Sequence, residues 1–65
     1  MTIGKRIRSI RLAKNLSQAD LAKACDLQPS AINHFERDRR CPSAKNLCKL
    51  ADTLETSVDI ILGRI

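Results

Sequence analysis

Tryptophan and tyrosine are absent from this 65-residue sequence, and Phe35 is its one aromatic residue. A stacking platform for single strands or RNA needs several exposed rings, so that class of binding is not expected. No apolar run approaches the roughly 18 residues that span a bilayer, and the amino-terminal segment lacks the apolar stretch of a signal peptide. The expected product is therefore soluble and cytoplasmic, with no membrane partner. Glycine and proline number two each, and β-branched residues do not alternate, so strands have little to form from. The three cysteines, Cys25, Cys41 and Cys48, are odd in number and show no C-x-x-C spacing. Neither a disulfide framework nor a zinc site with His34 is expected; the thiols are read as free, partly buried and inert. A phosphate-cradling glycine loop, a metal motif and a nucleophile–base pair are all missing, so neither an enzyme nor a cofactor is expected.

Acid is missing from one end only. Residues 1–16 carry Lys5, Arg6, Arg8, Arg11 and Lys14 with no Asp or Glu, whereas residues 43–65 balance three bases against three acids. The formal net charge of +5 points toward a polyanion as partner.

What is present is helical period. Ile3, Ile7 and Ile10 recur at i, i+4 and i+7, which predicts an amphipathic helix over about 2–14, ended by Asn15 in the left-handed conformation. Ser17, with Asp20 three residues on, has the pattern of a capping box and starts a second helix that ends near Cys25, with Asp26 in the turn. Pro29 suits the first turn of a third helix beginning around Gln28, with Ile32 and Phe35 inward and Asp38 as the turn residue after Arg37. Ser43 caps a fourth helix carrying Leu47, Leu50, Ala51 and Leu54 at helical spacing, and Ser57 a fifth carrying Val58, Ile61 and Leu62. The expected fold is all-α: one compact domain over 1–65, a bundle of five short helices.

The second and third helices, over about 17–37, are joined by a turn of about three residues, with small Ala22 placed for a close crossing. Leu21, Cys25, Leu27, Ile32 and Phe35 are the expected buried set. This is helix-turn-helix geometry, in which the second helix offers its outer face to a partner. The whole chain resembles the Cro and phage-repressor type of helix-turn-helix regulator, the XRE family. The resemblance rests on Ile3-Gly4-x-x-Ile7, Leu16-Ser17-Gln18-x-x-Leu21-Ala22, Ile32-x-x-Phe35-Glu36-Arg37, Pro42-Ser43 and Ser57-Val58-Asp59. Asp26, Asp38 and Asn15 stand where that family usually has glycine; each tolerates positive φ better than most residues.

The resemblance implies a lambda-repressor-like DNA-binding domain whose third helix enters the major groove. It makes Gln28, Ser30, Asn33 and His34, with Pro29 beside them, candidates for contact with bases. Gln and Asn can pair with adenine, Ser can serve several bases, and His can donate to guanine or phosphate. It makes Gln18, with Ser17, the candidate clamp on a phosphate at the start of the second helix, where the backbone amides point outward. Arg39 and Arg40 are expected to grip the DNA backbone from the loop after the third helix, while Lys5, Arg6 and Arg8 supply long-range attraction. Arg11 and Glu36 fall at positions that form a partly buried ion pair in related repressors, and Glu36 is read as structural rather than catalytic. Leu12 and Ile60 are apolar where the stripe predicts exposure, and a carboxy-terminal dimer interface is expected around Ile60, Ile61 and Ile65.

The implied function is a sequence-specific regulator of transcription that binds double-stranded DNA, a homodimeric repressor on an inverted-repeat operator. Two alternatives stay open. One is an antitoxin or other module that binds a protein partner, a toxin for instance, and represses its own promoter. The other is the DNA-binding part of a longer repressor. Contact with RNA polymerase would make an activator of the same domain.

Overall fold

The structure is a computed structural model and describes residues 1–65. It contains five helices: α1 (Ile3–Ala13), α2 (Gln18–Ala24), α3 (Pro29–Glu36), α4 (Ala44–Thr53) and α5 (Val58–Leu62). None is long and apolar enough to cross a membrane. Four of the five begin at a hydroxyl cap: Thr2, Ser17, Ser43 and Ser57 each accept a hydrogen bond from a first-turn amide. At α2 the box is complete, since the Ser17 amide donates to Asp20 Oδ2 at 3.1 Å while the Asp20 amide donates to Ser17 Oγ at 3.0 Å. Hydrogen bonding from Ser17 to the Asp20 carboxyl, by the backbone amide first and the side-chain hydroxyl second, holds it below its ordinary range. At α3 the cap position is Gln28, whose side chain makes no capping bond; Pro29 opens the helix instead.

All five helices also end in one way. A residue at positive φ follows the last turn, Asn15 (60°), Asp26 (56°), Asp38 (58°), Glu55 (55°) and Gly63 (76°). The next amide then reaches back to the carbonyl five residues earlier: Leu16 to Arg11, Leu27 to Ala22, Arg39 to His34, Thr56 to Ala51 and Arg64 to Asp59, over 2.8–3.2 Å. This closure satisfies carbonyls that a helix end otherwise leaves bare. Gly63 is the one glycine among the five.

The core is a single cluster built from every helix. Ile7, Leu21, Ala22, Ile32, Leu50, Leu54 and Ile61 are fully buried, and Cys25, Phe35, Leu47 and Ala51 nearly so. Helix α3 packs on both α1 and α2, α5 packs on α1 and α4, and α4 closes on α2. Ile3, Ile10, Leu16, Leu27, Val58 and Leu62 line its edge, partly exposed. Leu27 therefore belongs to the rim rather than to the buried set expected for it. Two further expectations need correction. Ile61 is 0% exposed, because on so short a helix it shares the inward face with Val58 and Leu62; it is core and has no surface to give a dimer. Cys25 is buried, but Cys41 and Cys48 are exposed, Cys41 in the loop before α4 and Cys48 on the outer side of α4.

Gly4 explains how closely α1 and α3 meet. A Cβ on Gly4 would stand less than 3.0 Å from the carbonyl oxygens of Phe35 and Glu36, so the start of α1 abuts the backbone end of α3. Asp38 fastens that joint. Its carboxylate accepts from Thr2 Oγ1 at 2.5 Å and from the Gly4 amide at 3.0 Å, and these bonds, the hydroxyl first, hold its pKa below the ordinary range.

Candidate nucleic-acid interface

Helices α2 and α3 pack together, and Ala22 of α2 is fully buried. From there the site can be built outward, beginning at a buried charge. Arg11 on α1 meets Glu36 at the end of α3 through two parallel bonds, Nε to Oε2 at 2.6 Å and Nη2 to Oε1 at 3.0 Å. The two side chains retain 7% and 2% of their exposure. The Arg11 Nη1 donates to the Leu16 carbonyl at 2.7 Å, so the guanidinium also ties down the chain between α1 and α2. Hydrogen bonding to Glu36 raises the Arg11 pKa further; burial opposes it and the carboxylate charge adds to it. This is the pair implied by the resemblance, and its geometry leaves no unpartnered carboxylate for acid–base chemistry.

The pair reaches the surface by way of amides. Gln18, the first residue of α2, donates from Nε2 to Glu36 Oε1 at 3.2 Å, and Asn33 donates from Nδ2 to Gln18 Oε1 at 3.4 Å. Three helices therefore converge on one polar line, Arg11–Glu36–Gln18–Asn33. Gln18 and Asn33, expected to act separately on a phosphate and on a base, are joined to each other. Each still has one amide hydrogen free, since a carboxamide nitrogen carries two.

Around Gln18 and Asn33 lies an open hollow of about 430 Å³ lined by Lys5, Arg8, Gln18, Asn33, Glu36 and Arg37, with no apolar residue. Glu36 is already paired, so three cations face this hollow without a countercharge inside it. Lys5, Arg8 and Arg37 are the site residues that sequence reasoning did not assign to direct contact. A signal for two of them was present: Arg8 lies three residues before Arg11, which packs on α3, and Lys5 three before that, so both ride the α1 edge nearest α3. Arg6 leaves the group; it packs against Gly63 at the end of α5.

On α3 itself, Gln28, Pro29 and Ser30 are exposed, and Asn33 and His34 are half-buried. Arg40 reaches the start of this face, where it lines a second hollow with Asp26, Leu27, Gln28, Ser30 and Ala31. Arg39 and Arg40 also border a third hollow with Thr2, Phe35, Asp38 and Cys41, at the joint that Asp38 fastens. Ser17 is exposed, and its oxygen is engaged as the α2 cap. No three metal-ligating side chains come together. Ile60 and Ile65 are 45% and 88% exposed, and Leu12 is 50% exposed.

Comparison with known proteins agrees with this geometry. A helix-turn-helix family profile matches residues 7–61. The immunity repressor protein of Bacillus phage phi105 is 40% identical over 63 residues, which are 97% of this chain and 44% of that protein. The P22 c2 repressor, solved in complex with a synthetic operator, superposes with a TM-score of 0.92 at 34% identity, covering 95% of this chain and 94% of that one. A chain of a SinR–SinI protein complex superposes with a TM-score of 0.88 at 32% identity, covering 94% of this chain and 60% of that one. The chain spans about half the length of the curated relatives it matches, 44%, 50% and 57% for three of them. These three relatives are named as repressors or transcriptional regulators, none as an enzyme.

Proposed function

The chain belongs to the helix-turn-helix family of the Cro and phage-repressor type, and from that membership we propose that it is a sequence-specific regulator of transcription that binds double-stranded DNA. The observation that carries the proposal is the juxtaposition on one side of the molecule of an outward α3 face and a hollow ringed by unpaired cations. The hollow suits a phosphate. Lys5, Arg8 and Arg37 supply charge, while Gln18 and the first-turn amides of α2 supply directed donors, which fix register without reading sequence. Beside it, Gln28, Ser30, Asn33 and His34 offer donors and acceptors to base edges, with Pro29 as an apolar neighbour. Ser17, Arg39 and Arg40 extend the backbone contacts to either side.

The buried Arg11–Glu36 pair positions both parts. Because Gln18 bridges Glu36 and Asn33, the phosphate grip and one base-reading side chain share a single foundation. Pre-organisation of this kind lowers the ordering cost of binding.

The regulator acts as a homodimeric repressor that occludes polymerase, its two copies reading half-sites about one helical turn apart. Ile60 and Ile65, exposed at the carboxy-terminal end, are the surface proposed for that contact, and Ile61 takes no part in it. The neighbour solved as a SinR–SinI complex supports a second reading, in which a domain of this fold is bound by a protein partner. Such a partner, a toxin or RNA polymerase among them, would cover the same apolar residues. Affinity selection of random duplexes by the purified chain tests the proposal: an enriched inverted repeat is expected. Salt-sensitive retention without enrichment would mean that the charge binds DNA without reading it.

A further inference from the structure

His34 is the sole histidine of the chain. Its ring Nδ1 is the one buried side-chain polar atom left without a hydrogen-bond partner. The residue lies in the last turn of α3, one turn beyond Ser30 and one before Arg37, so the three share a stripe of the helix. The other ring nitrogen, Nε2, is not among the buried atoms without a partner and takes part in no hydrogen bond within the chain, which leaves it in contact with solvent.

A neutral imidazole carries one proton, and these surroundings decide where it sits. On Nδ1 it would form a buried N–H with nothing to receive it, a deficit that folded proteins rarely leave. On Nε2 it would be hydrated, and Nδ1 would lose only an acceptor, the milder deficit. We infer that the neutral ring of His34 takes the Nε2–H tautomer and therefore presents a hydrogen-bond donor, and no acceptor, to whatever lies against the outer face of α3.

This inference rests on the reading of that face as the part that meets the major groove. A side chain that can only donate discriminates among base edges. Guanine places two acceptors, N7 and O6, side by side; thymine offers a single acceptor, O4, beside its methyl group, adenine sets a donating amino group next to its N7, and cytosine offers a donating amino group alone. His34 is thereby the specificity-determining residue for a guanine in each half-site, and its donor is set by the fold before DNA arrives.

Two measurements test this. In long-range proton–nitrogen correlation spectra of the labelled chain at about pH 8, where an ordinary histidine is neutral, the single ring needs no assignment by mutation. A pyrrole-type Nε2 with a pyridine-type Nδ1 is expected, and the reverse pattern overturns the inference. Random-duplex selection is then run with the wild type, His34→Ala and His34→Gln, each checked for an intact thermal unfolding transition. The wild-type motif is expected to hold a guanine whose preference falls about tenfold in His34→Ala. In His34→Gln, whose carboxamide both donates and accepts, the preference moves toward adenine. The same guanine retained in both variants, with or without a uniform loss of affinity, overturns the inference alone. Absence of any motif for the wild type overturns it together with the reading on which it rests.

Discussion

Removing Glu36 while leaving Arg11 in place strands a guanidinium whose side chain is 7% exposed. Of its three hydrogen bonds within the chain, only the one to the Leu16 carbonyl survives, and Gln18 loses its acceptor as well. Breaking a buried pair from one side costs about 3–5 kcal/mol, because the remaining charge keeps its desolvation penalty without its partner. A domain of 65 residues at roughly 0.05–0.15 kcal/mol per residue has about 3–10 kcal/mol in total. The single substitution Glu36→Leu should therefore remove a third or more of the stability. In urea, with a slope of about 1 kcal/mol/M for so small a chain, the midpoint should fall by about 3 M or the fold should be lost outright. Arg11→Met should be similarly damaging, since it leaves Glu36 with a single bond from Gln18. The double variant Arg11→Met/Glu36→Leu should recover most of the loss, because well-packed apolar groups of similar volume replace a buried ion pair at little net cost. The expected signature is a coupling energy of at least about 2 kcal/mol in a double-mutant cycle read by circular dichroism. Additive single effects, or a Glu36→Leu cost below about 1 kcal/mol, would refute the reasoning that ties α1 to α3 through this pair.

Other consequences follow from the same contacts. Gly4→Ala drives a methyl into the Phe35 and Glu36 carbonyls, backbone atoms that cannot swing aside, and should cost about 3 kcal/mol or more in thermal unfolding. Glu55→Gly should stabilise by about 1 kcal/mol, a rise of several degrees in Tm, by relieving positive φ at the loss of one exposed ion pair to Lys14. Asp38→Gly, at the same kind of position, should show no such gain, since it also removes the acceptor for Thr2 and Gly4. Because the folded-state pKa of Asp38 is depressed, its contribution is full above the ordinary carboxylate range and is lost as pH falls through the lowered value. Asp38→Asn should accordingly flatten the acid limb of the stability–pH curve, and an unchanged limb would count against the Thr2–Asp38–Gly4 clasp. Arg8→Gln should weaken DNA binding about equally across sequences and reduce the slope of log affinity against log salt by about 1.

The helices were legible because their signals are local. The Ile3, Ile7 and Ile10 stripe, the hydroxyl caps and Pro29 act within one or two turns, and the observed boundaries lie within a residue or so of those expected. Positive φ at Asn15, Asp26 and Asp38 was legible too, since these are residues that tolerate it. Glu55 was not, because glutamate has no such tendency; there the closing bond from Thr56 to Ala51 overrides propensity. The sequence supports both an inward and an interface role for Ile61, and helix arithmetic from Val58 is enough to choose the inward one, where it is 0% exposed. The Arg11–Glu36 pair was visible only through family resemblance, since 25 residues separate its members. Nothing in the sequence connected Asn33 to Gln18, or Asp38 to the start of α1, because those bonds depend on how three helices meet. In the sequence Lys5 and Arg8 show only their charge, and packing of α1 on α3 is what brings them to the hollow beside Gln18.

A DNA-binding α3 face requires that one side of the molecule, and not another, meets the duplex. Amide and side-chain NMR shifts of the labelled chain, followed while a selected duplex is added, measure that residue by residue. Large changes are expected at Gln28 to His34, at Gln18 and its neighbour Ser17, at Arg8 and Arg37, and in the Arg39–Arg40 loop, with the outer side of α4 unmoved. Changes confined to α5 and Leu12, with α3 and Gln18 silent, would contradict the proposed interface and make the apolar end the working surface.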